Sequence, residues 1–151
     1  RMNSAFSDAV VQRKLAGLRV LLDDLADATS ATSAAPDAFE ADRVRRYAIE
    51  RILTLLVDSA VDINVHVVTS RRGVPPATYR ESFLAAGEVG LIDPTLAQAL
   101  APAAGLRNIL VHDYLEADAN LIEQAVAVAP EQFAEYIRQV SGYLRRVQDH
   151  S

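Results

Sequence analysis

Apolar residues recur along most of this chain at the three-to-four-residue spacing of an amphipathic helix. Phe6, Val10, Leu15, Leu18, Leu22 and Leu25 mark a first helix over about residues 7–28. An Ala/Thr/Ser/Pro stretch over residues 29–37 reads as a loop. A long second helix is predicted over about residues 39–69, ended by Arg71-Arg72-Gly73 and the Pro75-Pro76 pair, which cannot continue a helix. A short third helix covers about residues 78–86, closed by Gly87 and Gly90.

Asp93-Pro94 has the form of a helix start, with Asp at the N-cap and Pro at the first helical position. The fourth helix that follows carries Leu96, Leu100, Leu106, Ile109 and Leu110, with Pro102 and Gly105 expected to kink it. The last helical region, about residues 120–148, presents Leu121, Ala125, Val128, Phe133, Ile137, Val140, Leu144 and Val147, and Pro130 is expected to break or bend it. No strand-like alternation persists. The expectation is an all-α bundle of four to five helices with an up-and-down core and a kinked fourth helix, forming one domain over residues 2–148.

The apolar stretch from Ile52 to Val68 is interrupted by Asp58, Asp62, Asn64 and His66, so it reads as a buried helix and not as a membrane span. Arg1 stands before Met2, which makes Met2 the expected natural start, and nothing near it has the pattern of a signal peptide. A cytoplasmic location is the resulting expectation. The absence of cysteine removes thiol nucleophiles, disulfides and Cys-ligated metals. A net charge of −5 argues against a general phosphate-backbone binder but leaves room for a local basic site. Arg43, Arg45, Arg46 and Arg51 cluster in one segment, Arg71 and Arg72 in another, and Arg138, Arg145 and Arg146 near the end. Each cluster also fits a solvated helix face. There is no Gly-x-Ser-x-Gly turn and no phosphate-cradling glycine loop.

Candidate chemistry concentrates in residues 106–116, "LRNILVHDYLE". At 100° per residue, Arg107, Val111 and Tyr114 fall within about 60° of one another, and Asn108 and His112 lie one turn apart on the next stripe. Leu106, Ile109 and Leu110 fall on the opposite side and are expected to anchor the helix. Arginine matches phosphate oxygens with a planar fork, and histidine exchanges protons near neutral pH. That set suits cleavage of RNA without a metal, because the ribose 2′-hydroxyl can serve as nucleophile. The same residues also fit a capped helix end, with Arg and His on terminal carbonyls.

Asp58, Asp62 and His66 recur at i, i+4 on the second helix. They form either a carboxylate/imidazole metal site or a polar seam facing another helix and supporting Arg107 or His112. One helix rarely completes a coordination shell, and no further histidine is placed to do so; neither a metal nor a cofactor is expected.

Arg107-Asn-Ile-Leu-Val-His112-Asp-Tyr114 resembles the R-x4-H-x-Y motif of the HepT-like toxins of the HEPN superfamily. "YAIERILTLLVDSAVDINVHVV" is similar to that family's long second helix, with Asp62 at its acidic position, and "TYRESFLAAGEVGLID" to the segment that follows. The resemblance implies a HEPN-type helical bundle and a metal-independent endoribonuclease. It would be the toxin of a type II/VII-like toxin–antitoxin pair. It implies a homodimer in which two motifs share a cleft, an RNA substrate, and an MNT-type nucleotidyltransferase antitoxin that in some pairs transfers AMP to the motif tyrosine. By position, Arg107 would bind phosphate, His112 would transfer a proton, Asn108 would orient substrate or His112, and Tyr114 would be the modification site. Asp58 and Asp62 would support the motif from the second helix. The alternative is a helical dimer without chemistry of its own, serving as binding partner or substrate of a nucleotidyltransferase.

Overall fold

A computed structural model describes residues 7–30, 38–112 and 119–150 and shows six helices among them. These are α1 Asp8–Ser30, α2 Ala38–Arg72, α3 Tyr79–Glu88, α4 Pro94–Leu100, α5 Ala103–His112 and α6 Ala119–Asp149. The class is all-α, as the periodicity predicts.

α2 is the axis of the bundle. Its Leu53, Leu56, Val57, Ala60, Val61, Ile63 and Val67 are buried together with Val11, Leu15, Leu18 and Leu25 of α1 and Phe133, Tyr136, Val140 and Leu144 of α6. α1 runs antiparallel to α2: the Ser7 amide donates to His66 Nε2 at 2.9 Å, and Lys14 Nζ meets Asp62 Oδ2 at 3.0 Å. α6 runs parallel to α2, since Tyr136 reaches the Ala60 carbonyl and Tyr143 reaches Arg71, each at 3.0 Å. The three short helices α3–α5 therefore carry the chain back between them.

By length and composition α2 passes for a membrane span, yet 56 % of its most apolar window is covered by the other helices. Its hydrophobicity is spent inside the protein.

Local chemistry sets the ends. Gly73 takes a left-handed φ of +79° and donates to the Thr69 carbonyl at 2.7 Å, closing α2. Thr78 Oγ1 accepts the Glu81 amide and Glu81 Oε2 accepts the Ala77 amide, both at 3.1 Å, which starts α3. Asp93 Oδ1 accepts the Leu96 amide at 2.7 Å ahead of Pro94, starting α4 as the Asp-Pro signal predicts. α3 and α4 meet at Gly87, where an added Cβ would come within 2.7 Å of the Ala97 Cβ.

Two expectations about proline take definite form. The kink expected at Pro102 divides the fourth helix: the chain turns at Ala101-Pro102 and continues as α5, because Pro102 has no N–H with which to extend α4. Pro130 does not break α6, which continues through it to Asp149. Pro130 is solvent-exposed, so water can reach the carbonyl that its missing N–H would have bonded.

Candidate active site

The motif helix α5 lies against α2 and α3, and Arg107 is the residue that binds it there. Arg107 Nε donates to Asp58 Oδ1 at 3.0 Å, with side-chain exposures of 23 % and 27 %. The Tyr79 hydroxyl, at the start of α3, donates to the same oxygen at 3.0 Å. The guanidinium carbon sits 4.9 Å from the centre of the Tyr79 ring, within cation–π range. One carboxylate oxygen and one aromatic face thus fix the plane of the guanidinium. The terminal nitrogens of Arg107 make no hydrogen bond to any described residue, which leaves two donors in a fork for an incoming anion.

Burial pushes the Tyr79 phenol above its ordinary range. The hydrogen bond to Asp58 and the Asp58 charge add to this, the Arg107 charge opposes it, and Asp62 contributes last. The phenol therefore stays protonated as the donor that Asp58 needs.

Behind Tyr79 lies a buried polar chain. The Tyr136 hydroxyl donates to Asn64 Oδ1 at 2.6 Å, Asn64 Nδ2 donates to Ser82 Oγ at 3.3 Å, and Ser82 Oγ donates to the Tyr79 carbonyl at 2.7 Å. Tyr136, Asn64 and Ser82 are each fully buried. Their groups satisfy one another, and in doing so tie α6, α2 and α3 to the position of Tyr79.

The remaining sequence-predicted residues separate. Asn108 and His112 are solvent-exposed on the next stripe of α5, with His112 in its last turn. Leu110 is buried, whereas Leu106 and Ile109 are partly buried against the core. The side of α5 that carries Arg107 is turned toward α2 rather than away from it. Tyr114 lies outside the described residues.

Asp58, Asp62 and His66 behave as a polar seam. Asp58 holds Arg107 and Tyr79, Asp62 holds Lys14, and His66 accepts the Ser7 amide. Among the described residues no group of three His, Cys, Asp or Glu side chains converges as a metal site would require. Asp62 supports α1, at an exposed ion pair, and makes no bond to Arg107.

Tyr79 is the residue the sequence reading passed over as a site component. Its local signal is that of a helix start; its partners lie 21 and 28 positions away, a distance at which spacing carries no information.

Beside α5 an apolar groove of about 350 Å³ runs between Leu53, Val57 and Leu106 on one side and Leu121, Val128 and Phe133 of α6 on the other. Leu121, Val128 and the neighbouring Val111 are exposed at 39 %, 49 % and 39 %.

The described residues thus place an arginine with its fork free and an exposed histidine on one short helix of an all-α scaffold. A family model described as "Ribonuclease HepT-like" matches residues 21–140, and the chain belongs to that family. It is 35 % identical over 102 residues to the "tRNA nuclease HepT" of Aphanizomenon flos-aquae, covering 68 % of this chain and 69 % of that protein. It is 31 % identical over 80 residues to the "mRNA nuclease HepT" of Shewanella oneidensis, covering 53 % and 60 %. The fold matches that of a tri-AMPylated Shewanella oneidensis HEPN toxin solved with its MNT antitoxin, at a TM-score of 0.76 and 23 % identity, over 91 % of this chain and 99 % of that one. A toxin–antitoxin complex solved with AMP-PNP also gives 0.76, at 21 % identity over 89 % and 99 %. Ribonuclease chemistry is the function class that the family carries.

Proposed function

We propose that this chain, acting as one unit over residues 2–148, is a metal-independent endoribonuclease toxin working in the cytoplasm through Arg107, Asn108 and His112. The observation that carries the reading is the held guanidinium: Nε is committed to Asp58, the ring of Tyr79 lies beneath, and the free fork sits on the helix that ends in His112. Arg107 binds two oxygens of the scissile phosphate and stabilises the charge that builds there during attack. The ribose 2′-hydroxyl attacks phosphorus and the bond to the 5′-oxygen breaks, so one proton leaves the nucleophile and another must reach the leaving group. His112 handles one of them. Asn108, exposed beside it, orients the substrate or the imidazole.

A second histidine comes from a second copy. The apolar groove at α5 and α6, with Leu121 and Val128 exposed along it, supplies the surface on which two copies pair so that their motifs face one cleft.

The partner is an MNT-type nucleotidyltransferase. Its reaction joins the Tyr114 oxygen to the α-phosphorus of ATP and releases pyrophosphate, placing bulk and negative charge where RNA phosphate must bind. The test is intact mass of the protein expressed alone and with its nucleotidyltransferase and ATP. A gain of AMP that maps to Tyr114 and disappears in Tyr114→Phe is expected. An unchanged mass in a stable complex would replace modification by neutralisation through binding.

A further inference from the structure

Outside the motif, the arginines divide by partner. Arg72 pairs with Glu88 at 3.0 Å, and Arg138 pairs with Glu135. Arg13, Arg19, Arg51, Arg71, Arg80, Arg145 and Arg146 make no ion pair among the described residues, and four of these gather at one place. Arg19 and Arg71 reach the stretch of α6 from Ser141 to Arg146, which itself carries Arg145 and Arg146.

Arg19 Nη2 donates to Ser141 Oγ at 3.4 Å, and Arg71 Nη1 donates to the Tyr143 hydroxyl at 3.0 Å. The Arg146 guanidinium lies 6.0 Å over the Tyr143 ring, and its Nη2 donates to the Gly90 carbonyl at 3.4 Å. Gly142 makes room for the rest: a Cβ there would stand 3.5 Å from Arg146 Nη1 and 3.7 Å from Arg145 Nη2. Two cations thus approach one bare point of the helix with no carboxylate between them.

Like charges gathered in this way repel, and none of the four is neutralised by an ion pair with a described carboxylate. Helix-end electrostatics accounts for a charge near the C-terminus of α2 or α6. It does not account for Arg19, which is in the middle of α1, or for both arginines folding over Gly142. A cleft of about 400 Å³ opens beside the cluster, between the turn from Gly87 to Pro94 and the α6 residues Arg138, Gly142 and Arg146. The carboxylates at its edge are occupied: Asp93 by the Leu96 amide and Gln139, Glu135 by Arg138 and Gln139.

We propose that Arg19, Arg71, Arg145 and Arg146 form a phosphate-backbone surface for the folded body of the RNA substrate, separate from the Arg107–His112 site. The proposal rests on the ribonuclease reading. Asp58 and Arg71 both lie on α2, and their separation along it is about 20 Å. A dinucleotide in the active site does not reach that far; a folded RNA does. Sequence-independent contacts of this kind supply affinity and leave the choice of cleavage site to the motif.

The test uses full-length chains carrying His112→Ala, so that RNA is bound without being cut, and a folded transfer RNA as probe. Adding Arg145→Gln and Arg146→Gln is expected to weaken binding roughly ten- to thirtyfold and to lower the salt slope by about 2. In the active background the same pair is expected to slow cleavage of the transfer RNA and leave cleavage of a short single-stranded oligonucleotide unchanged. Unchanged affinity and salt slope would overturn the proposal, as would equal loss on both substrates. Loss of the nucleotidyltransferase complex with the salt slope intact would also overturn it, making this face a protein-docking one. If the wild type cuts no RNA, the ribonuclease reading fails by itself, and the binding arm still decides whether the surface holds nucleic acid.

Discussion

Arg107 and His112 share the ten-residue helix α5, yet the fold treats them in opposite ways. Arg107 is half-buried, bonded through Nε to Asp58 and laid on the Tyr79 ring, which is itself held by a buried chain through Ser82 and Asn64 to Tyr136. His112 is exposed in the last turn. In the proposed mechanism Arg107 is the group that receives the phosphate in fixed geometry, and it is built into the fold of one chain. His112, proposed to exchange protons, is left open to solvent, where the proposed substrate and second copy would complete its surroundings.

The comparison predicts a graded series. Largest is the loss from His112→Ala or Arg107→Ala, each expected to lower RNA cleavage by roughly a hundredfold or more while the helical circular dichroism stays that of the wild type. A variant that loses its helicity would place Arg107 among the structural residues instead.

Next is Asp58→Asn, which keeps the shape and removes the charge. A charge-assisted bond in this setting contributes about 1.5–3 kcal/mol, so a drop in cleavage of roughly tenfold is expected, with a smaller cost in stability because the pair is partly solvated. Cleavage equal to wild type would show that Arg107 holds its place without Asp58.

Tyr79→Phe keeps the ring under the guanidinium and removes the hydroxyl bond, so a loss of a few fold is expected, and Tyr79→Leu should cost more. The pH dependence has a definite sign. The phenol is raised in the folded chain, so its contribution is complete below its ordinary value and fades only as pH rises through the folded one. The ratio of Tyr79→Phe to wild-type rates should therefore be flat between about pH 6 and 9. A ratio that changes within that window would mean that the hydroxyl titrates during the reaction.

The smallest effect belongs to Asp62→Asn. Its ion pair with Lys14 is exposed, at 42 % and 56 %, and serves α1. Cleavage within about twofold of wild type is expected.

Much of this was legible in the chain. The apolar spacing marked α1, α2 and α6, Asp93-Pro94 marked the start of α4, and the Arg107-to-Tyr114 motif marked the helix now proposed to carry the site. Asp58, Asp62 and His66 were open to two readings, a metal site or a polar seam; in the fold Asp58 reaches Arg107 and Asp62 reaches Lys14, because acids on an apolar helix need polar partners across it. Their partners did not read out: Arg107 lies 49 positions from Asp58, and Lys14 lies 48 from Asp62. The inward turn of Arg107 was equally invisible. An arginine on a helical wheel looks solvent-bound until the wheel meets a carboxylate on another element. Tyr79 and the chain through Ser82, Asn64 and Tyr136 were missed for the same reason.

The measurement closest to the central claim is single-turnover cleavage of a transfer RNA by the purified wild type and by His112→Ala, both in excess chelator. The wild type should cut and His112→Ala should be slower by at least roughly a hundredfold. Equal rates for the two proteins, or wild-type cleavage abolished by the chelator, would contradict an active site built on Arg107 and His112.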